Sequence, residues 1–193
     1  MANEQKLGKK EVVHLQIIYP DWQTDPQYLE FVADILENEE FMKLHQIEHH
    51  HVTTRYNHSL FVSYVSYVIG KKLGADLRSL ARGALLHDFF LESRQEIEQM
   101  HIGSHNAVHP HLALAKAQSV FELNPIEEDI IVKHMFLCTP RCGIPRYLES
   151  RIVTVADKYC SIYEVGKGNP EKWMQWMTVM MIRFKQLNLH FNH

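Results

Sequence analysis

His87 and Asp88 stand side by side within the apolar segment Ala84-Leu85-Leu86-His87-Asp88-Phe89-Phe90. An ionised carboxylate beside an imidazole in such surroundings is costly to desolvate unless a partner or a cation holds it. Further metal-type ligands return on either side. His58 lies 29 residues before His87, and His109, His134 and Asp157 follow at intervals of 22, 25 and 23 residues. Each interval is long enough for one helix and its turn, so five consecutive segments would bring six side chains together. A single histidine on an apolar face is more often a core residue bonded to backbone, whereas six ligand-type residues at this spacing point jointly to a metal centre. Imidazole nitrogen and carboxylate oxygen suit iron, manganese, zinc, cobalt or nickel, and the lack of thiolates in the set argues against a structural zinc site.

The elements that would position these ligands are helical. Asp25-Pro26 pairs a capping residue with a first-turn proline and predicts a helix carrying Leu29, Val32 and Leu36 on one face, with it or a second helix running to about residue 47. After a break over 48–52, the apolar spacing of Leu60, Phe61, Tyr64, Val65 and Val68 predicts a helix over 53–73, stopped by Gly74. Helices are expected over 76–89, from His109-Pro110 to about 121, from Asn124-Pro125 to about 136, and over 146–165. Residues 92–106 read as loop or broken helix, and 138–145 as a loop with two prolines and a glycine. On each ligand helix the apolar residues one turn back, Ile130 and Ile131 before His134 and Val153 before Asp157, place the ligand on the inward face. A last helix over 170–188 would carry Trp173, Trp176, Met177, Met180, Met181 and Phe184 as one stripe, suited to core packing or to a homodimer seam. The expected fold is all-α, a helical bundle with the metal site at its centre: an N-terminal arm over 1–24, then one helical domain over 25–193 with its motif core at 45–165.

With 193 residues, 46% of them hydrophobic, the chain can fill one core and is short for two. A net charge of -3 without a basic stripe argues against duplex nucleic acid as a partner. Cys138, Cys142 and Cys160 are odd in number and form no C-x-x-C pair, so a reducing, cytoplasmic setting is expected. The basic start has no apolar core behind it and no run is long enough to span a membrane, so neither export nor membrane association is expected. Histidine is the compositional oddity, with 14 residues; the internal run His49-His50-His51 is read as a solvated turn.

The order His58, then His87-Asp88, then Asp157 resembles the HD-domain superfamily of metal-dependent phosphohydrolases, helical proteins named after the His-Asp dyad. The resemblance spans about residues 45–165 and rests on Gly-Ala-Leu-Leu-His-Asp, on Val-Ala-Asp-Lys-Tyr, and on the opening Thr54-Arg55-Tyr56-Asn57-His58-Ser59-Leu60. His109 and His134 are similar to the two extra histidines of members that bind two metals. The resemblance implies two divalent transition metals, iron before manganese, zinc, cobalt or nickel. His58, His87, Asp88 and Asp157 would hold the first, and His109 and His134 with a bridging Asp88 the second. A hydroxide between them would attack a phosphate ester. Arg55, one turn before His58, is a candidate phosphate contact. Lys158 and His105 are further candidates for phosphate contact or leaving-group protonation, and Lys116 and Arg141 for phosphate contact. After His134 the chain reads Met135-Phe136-Leu137-Cys138-Thr139-Pro140, without the second histidine, glutamate and Gly-Tyr-Pro run of the superfamily's cyclic-di-GMP phosphodiesterases. The implied substrate is a nucleotide or other small phosphate ester. Two other functions stay open: a mixed-valent di-iron oxygenase, which uses the same six-ligand arrangement in some HD-domain proteins, and a non-catalytic nucleotide-binding or regulatory module.

Overall fold

The computed structural model describes residues 21–49, 52–139 and 142–168. Most of the expected N-terminal arm, the helix expected over 170–188 with its Trp/Met stripe, and Arg141 lie outside these residues. Among the described residues there are eight α-helices and one two-stranded ladder, so the all-helical expectation holds. The helices are α1 (Pro26–Leu36), α2 (Glu39–Met42), α3 (Arg55–Leu73), α4 (Leu77–Leu86), α5 (Arg94–Gln99), α6 (His105–Val120), α7 (Pro125–Lys133) and α8 (Leu148–Gly168). Strands β1 (Glu48–His49) and β2 (Thr53–Thr54) pair antiparallel just ahead of α3.

Short polar side chains start these helices where the chain is told to turn. Asp25 accepts from the Tyr28 amide with Pro26 in the first turn of α1, Thr54 caps α3 through the Asn57 amide, and Asp76 caps α4 through the Ser79 amide. Asn124 and Glu127 form a reciprocal capping box at α7. Gly74 ends α3 at φ +70°, a left-handed position that suits a residue without Cβ.

The stretch expected as loop or broken helix contains α5, opened by the capping box of Ser93 and Glu96. A larger difference concerns α6, which begins at His105 instead of at His109-Pro110, so that Pro110 lies inside it. A proline there leaves the Asn106 carbonyl without its intrahelical donor. In return the longer helix places the His105 carbonyl one turn before His109, which the site uses.

Helix α3 is the axis of the domain, packed on α4 and α8, while α7 rests on both α4 and α8. One apolar cluster joins Tyr28, Val32, Phe41, Leu85, Phe89 and Ile131; a second joins Phe61, Leu80, Ile130, Val153 and Cys160. Polar locks cross between elements. The Tyr28 hydroxyl donates to Ser63 Oγ (2.8 Å), which donates to the Ala81 carbonyl (2.7 Å), tying α1, α3 and α4. Buried Arg82 pairs with Glu127 (3.0 Å) and reaches the Phe31 carbonyl, tying α4 to α7 and α1. Gly83 permits the close approach of α4 and α7: a Cβ there would stand 2.7 Å from Ile130 Cδ1 and 3.2 Å from the Glu127 backbone.

Candidate metal centre

Each ligand-type residue sits at a helix end or on a helix that leads inward. His87 is the C-cap residue just after α4 and Asp88 follows it in the turn; His134 is the C-cap of α7 in the same way. Stopping both helices at the histidine leaves the carbonyls of the last turn open, and the side chains use them. His87 Nδ1 donates to the Ala84 carbonyl (2.7 Å) and His134 Nδ1 to the Ile131 carbonyl (2.8 Å). His109 Nδ1 donates to the His105 carbonyl (2.9 Å). A carbonyl only accepts, so all three imidazoles carry a proton on Nδ1, and in the neutral form each presents a bare Nε2 to the interior.

These three nitrogens converge on Asp88. His109 Nε2 is 3.3 Å and His134 Nε2 3.7 Å from Asp88 Oδ1, while His87 Nε2 is 3.7 Å from Oδ2. His109 Nε2 and His134 Nε2 lie 2.9 Å apart. Two nitrogen ligands about 2.1 Å from a common cation and at right angles about it stand about 3.0 Å from one another. Lone pairs facing lone pairs and a carboxylate repel in the absence of positive charge. His87 Nε2 and Asp88 Oδ1 are buried and lack a hydrogen-bond partner among the described residues. The donor chemistry and these orphaned atoms fit a cation.

The remaining two ligands are held differently. His58, on α3, makes Nε2 contact with Asp157 Oδ1 (3.2 Å) and Nδ1 contact with Glu164 Oε2 (2.7 Å), with all three groups buried. Asp157 and Glu164 are seven residues apart on α8 and so share its inward face. Lys158 Nζ donates to Asp157 Oδ2 and lies 3.0 Å from Met135 Sδ. His58, His87 and Asp157 offer ligand atoms within 4.8 Å of one another, as do His87, Asp88 and His134, and His49, His58 and Asp88.

Electrostatics follow this division. Burial would push the Asp88 carboxyl up, but the charge that His87, His109, His134 and His49 would carry when protonated outweighs it and lowers the carboxyl well below the usual range. Burial pushes His134 well below its ordinary value and lowers His109, which keeps both neutral and able to act as ligands. Burial also opposes charge on His58, yet Glu164 and Asp157 overcome it and raise its pKa to about 10. Asp157 is held well below the carboxylate range against the burial penalty by Lys158 and His58; Lys158 is raised by Asp157 despite its own burial.

The other candidates are placed less uniformly. Buried Arg55 donates Nη1 to the Phe90 carbonyl and Nη2 to the Glu92 carbonyl (3.3 Å), with its guanidinium carbon 3.5 Å from the centre of the Phe90 ring. Expected as a phosphate contact, it clamps the chain just beyond the His-Asp dyad through one N–H of each terminal nitrogen, and its buried Nε has no hydrogen-bond partner among the described residues. His105 stacks on His109 (centroids 4.9 Å apart), and burial together with His109 lowers it to about 4, so near neutral pH it is no proton donor. Lys116 lies two helical turns, about 10 Å, beyond His109 and pairs with Glu40 on α2 (2.7 Å), which removes it from the ligand cluster.

Two residues escaped the sequence reading. Glu164 was signalled only by its spacing of seven from Asp157. His49, read as part of a solvated turn, is half-buried and stacks on His58 with ring centroids 4.0 Å apart; only the tertiary contact marks it out.

The chain belongs to the HD-domain family: the family model, HD domain, matches residues 55–162, from the first residue of α3 into α8. That span includes His58, the dyad, His109, His134 and Asp157. No curated protein and no solved structure gives a significant match. Among the described residues no helix is long and apolar enough to cross a membrane.

Proposed function

We propose that this HD-domain protein is a metal-dependent phosphohydrolase acting on a nucleotide or other small phosphate ester. The observation that carries the reading is the convergence of the bare Nε2 atoms of His87, His109 and His134 on buried Asp88, beside the His58–Asp157 pair. We assign His58, His87 and Asp157 to one cation, His109 and His134 to a second, and Asp88 to both, with iron the first choice and manganese, zinc, cobalt and nickel the alternatives. A cation held by these residues would supply acidification of a bound water and polarisation of a phosphoryl oxygen.

The chain's own residues do the rest. Main-chain carbonyls fix the tautomers of His87, His109 and His134, so no proton competes for their Nε2 atoms. The Lys158 ammonium, buried against Asp157, supplies the fixed positive charge that favours a phosphate at this point. Arg55 acts as a positioning residue by holding the Phe90–Glu92 backbone, and with it the orientation of Asp88. Near-complete burial of the ligands keeps bulk water from screening these charges.

The test is phosphate release from a panel of nucleotides and small phosphate esters, using protein stripped of metal and reloaded with each cation in turn. Turnover that requires the cation and disappears in Asp88→Ala supports the reading. A folded, metal-loaded protein that releases no phosphate but consumes oxygen with candidate substrates when loaded with iron would replace it with the oxygenase alternative.

A further inference from the structure

The six ligand residues do not exhaust the donors around Asp88. His49 enters from β1, outside the family match, which begins at residue 55. Its ring lies nearly parallel to that of His58, 20° between planes, and its ligand atom falls within 4.8 Å of those of His58 and Asp88. Although the residue as a whole is half-buried, its Nε2 is shielded from solvent and so faces inward. Its backbone is anchored: His49 pairs with Thr53, and the amide of Arg55, the first residue of α3, donates to the carbonyl of Ile47 (2.8 Å). The strand that delivers His49 is therefore paired with β2, which leads directly into the helix that delivers His58.

Exposure separates His49 from the other donors. His58, His87, Asp88, His109, His134 and Asp157 are each at most 6% exposed, and His49 alone of the seven is half-buried. A ligand on the solvent side of such a cluster stands where an incoming phosphate oxygen must arrive. We propose that His49 is a seventh protein ligand, binding a cation shared with His58 and Asp88 on the solvent side of the centre, and that a phosphate oxygen displaces it. This rests on the metal-centre reading above, deepens it, and adds a step of ligand exchange. His49 is the weaker ligand because it comes from a two-residue strand and is only half-buried as a residue, whereas the other imidazoles come from helices or their C-caps and lie inside the core.

The experiment is a calorimetric titration of metal-free protein with Co2+, accompanied by the visible spectrum of the Co2+-loaded protein with and without inorganic phosphate. His49→Ala and His49→Gln are compared with His58→Ala and with His111→Ala, an exposed histidine of α6. Both His49 variants are expected to lose about tenfold in Co2+ affinity at one site and to show an altered ligand-field band. They should also bind inorganic phosphate up to about tenfold more tightly, because the position is no longer contested. His111→Ala should match the parent protein. Thermal melts of the metal-free variants report folding. Should both variants unfold, paramagnetically shifted imidazole N–H resonances of the Co2+-loaded parent, assigned by selective labelling, decide the matter: a shifted His49 signal that moves with phosphate supports the proposal, and its absence overturns it. Parent-like Co2+ affinity and spectrum in folded His49→Ala would overturn the proposal while leaving the centre intact, provided His58→Ala loses binding. Parent-like binding in His58→Ala as well would overturn the metal-centre reading itself.

Discussion

The two halves of the cluster use the same residue types and hold them by opposite means. On the α3/α8 side, His58 lies between the carboxylates of Asp157 and Glu164, and Lys158 lies against Asp157, so every group is fixed by a charged neighbour. On the α6/α7 side, His109 and His134 are fixed by carbonyls of their own helices. Charged support raises His58, whereas burial with main-chain support lowers His109 and His134. In the first half Glu164 takes His58 Nδ1 and leaves Nε2 beside Asp157, and in the second the main chain takes Nδ1 of His109 and His134 and leaves their Nε2 atoms beside Asp88. Asp88 joins them, and buried carboxylate surrounded by imidazole is the feature both halves share.

Asp88→Ala strikes both halves at once. It should reduce metal-dependent phosphate release by about a thousandfold or more, equivalent to about 4 kcal/mol of barrier, and should lower the bound metal measured by elemental analysis. Normal metal content with lost activity would restrict Asp88 to the chemistry and separate it from ligation.

Glu164→Gln tests the charged half alone. The amide keeps the shape and can still accept from His58, but it removes the charge, and metal affinity is expected to fall by about 10- to 100-fold with the fold retained. An unchanged affinity in calorimetry would mean that the two halves are supported equally and that the contrast has no energetic content. No matching side-chain substitution exists for the other half, because its acceptors belong to the backbone.

Chelation probes both halves through stability. Protein saturated at about 100 times the dissociation constant gains about 2.7 kcal/mol from its metal, so stripping it should lower Tm by about 5–10 °C for a chain of this size. A melt unaffected by chelator would argue that the cluster binds no cation in the folded protein.

Gly83→Ala strains the neutral half through the fold. The new Cβ would meet Ile130 at 2.7 Å and press on the Glu127 backbone at 3.2 Å, moving α7, and His134 with it, away from α4. Overpacking of this kind costs about 1–3 kcal/mol, seen as a lower Tm, and metal affinity should fall with it. Full retention of both would show that α7 adjusts without disturbing His134. Lys116→Ala should have the smallest effect. Its ion pair with Glu40 is only partly buried and contributes little, so Tm and turnover should match the parent, and a loss of turnover would return Lys116 to the substrate site.

The helical pattern was legible because its signals are local. Asp25-Pro26, Asn124-Pro125 and Gly74 act on the backbone within one turn, and the structure uses each of them. Ser93 and Glu96 carried the same kind of signal for α5, in a stretch read only as loop or broken helix. The start of α6 was misplaced because proline is most at home in a first turn, while here it is tolerated further in. Six ligand-type residues could be listed from spacing and resemblance, since each occupies its own segment. Their orienting partners could not, as main-chain carbonyls leave no mark in a sequence. The clamp made by Arg55 depends on where the Phe90–Glu92 backbone passes.

What the sequence by itself determined is most of the described helices, the inward face of those that carry the candidates, and six of the ligand-type residues, because periodicity and capping are properties of neighbouring residues. The tertiary structure decided which nitrogen each histidine presents, that Glu164 stands behind His58, that Arg55 holds backbone, and that His49 lies against the cluster. Those facts depend on groups distant in the chain meeting in a buried space, where desolvation makes each unmatched lone pair or charge costly enough to dictate its partner.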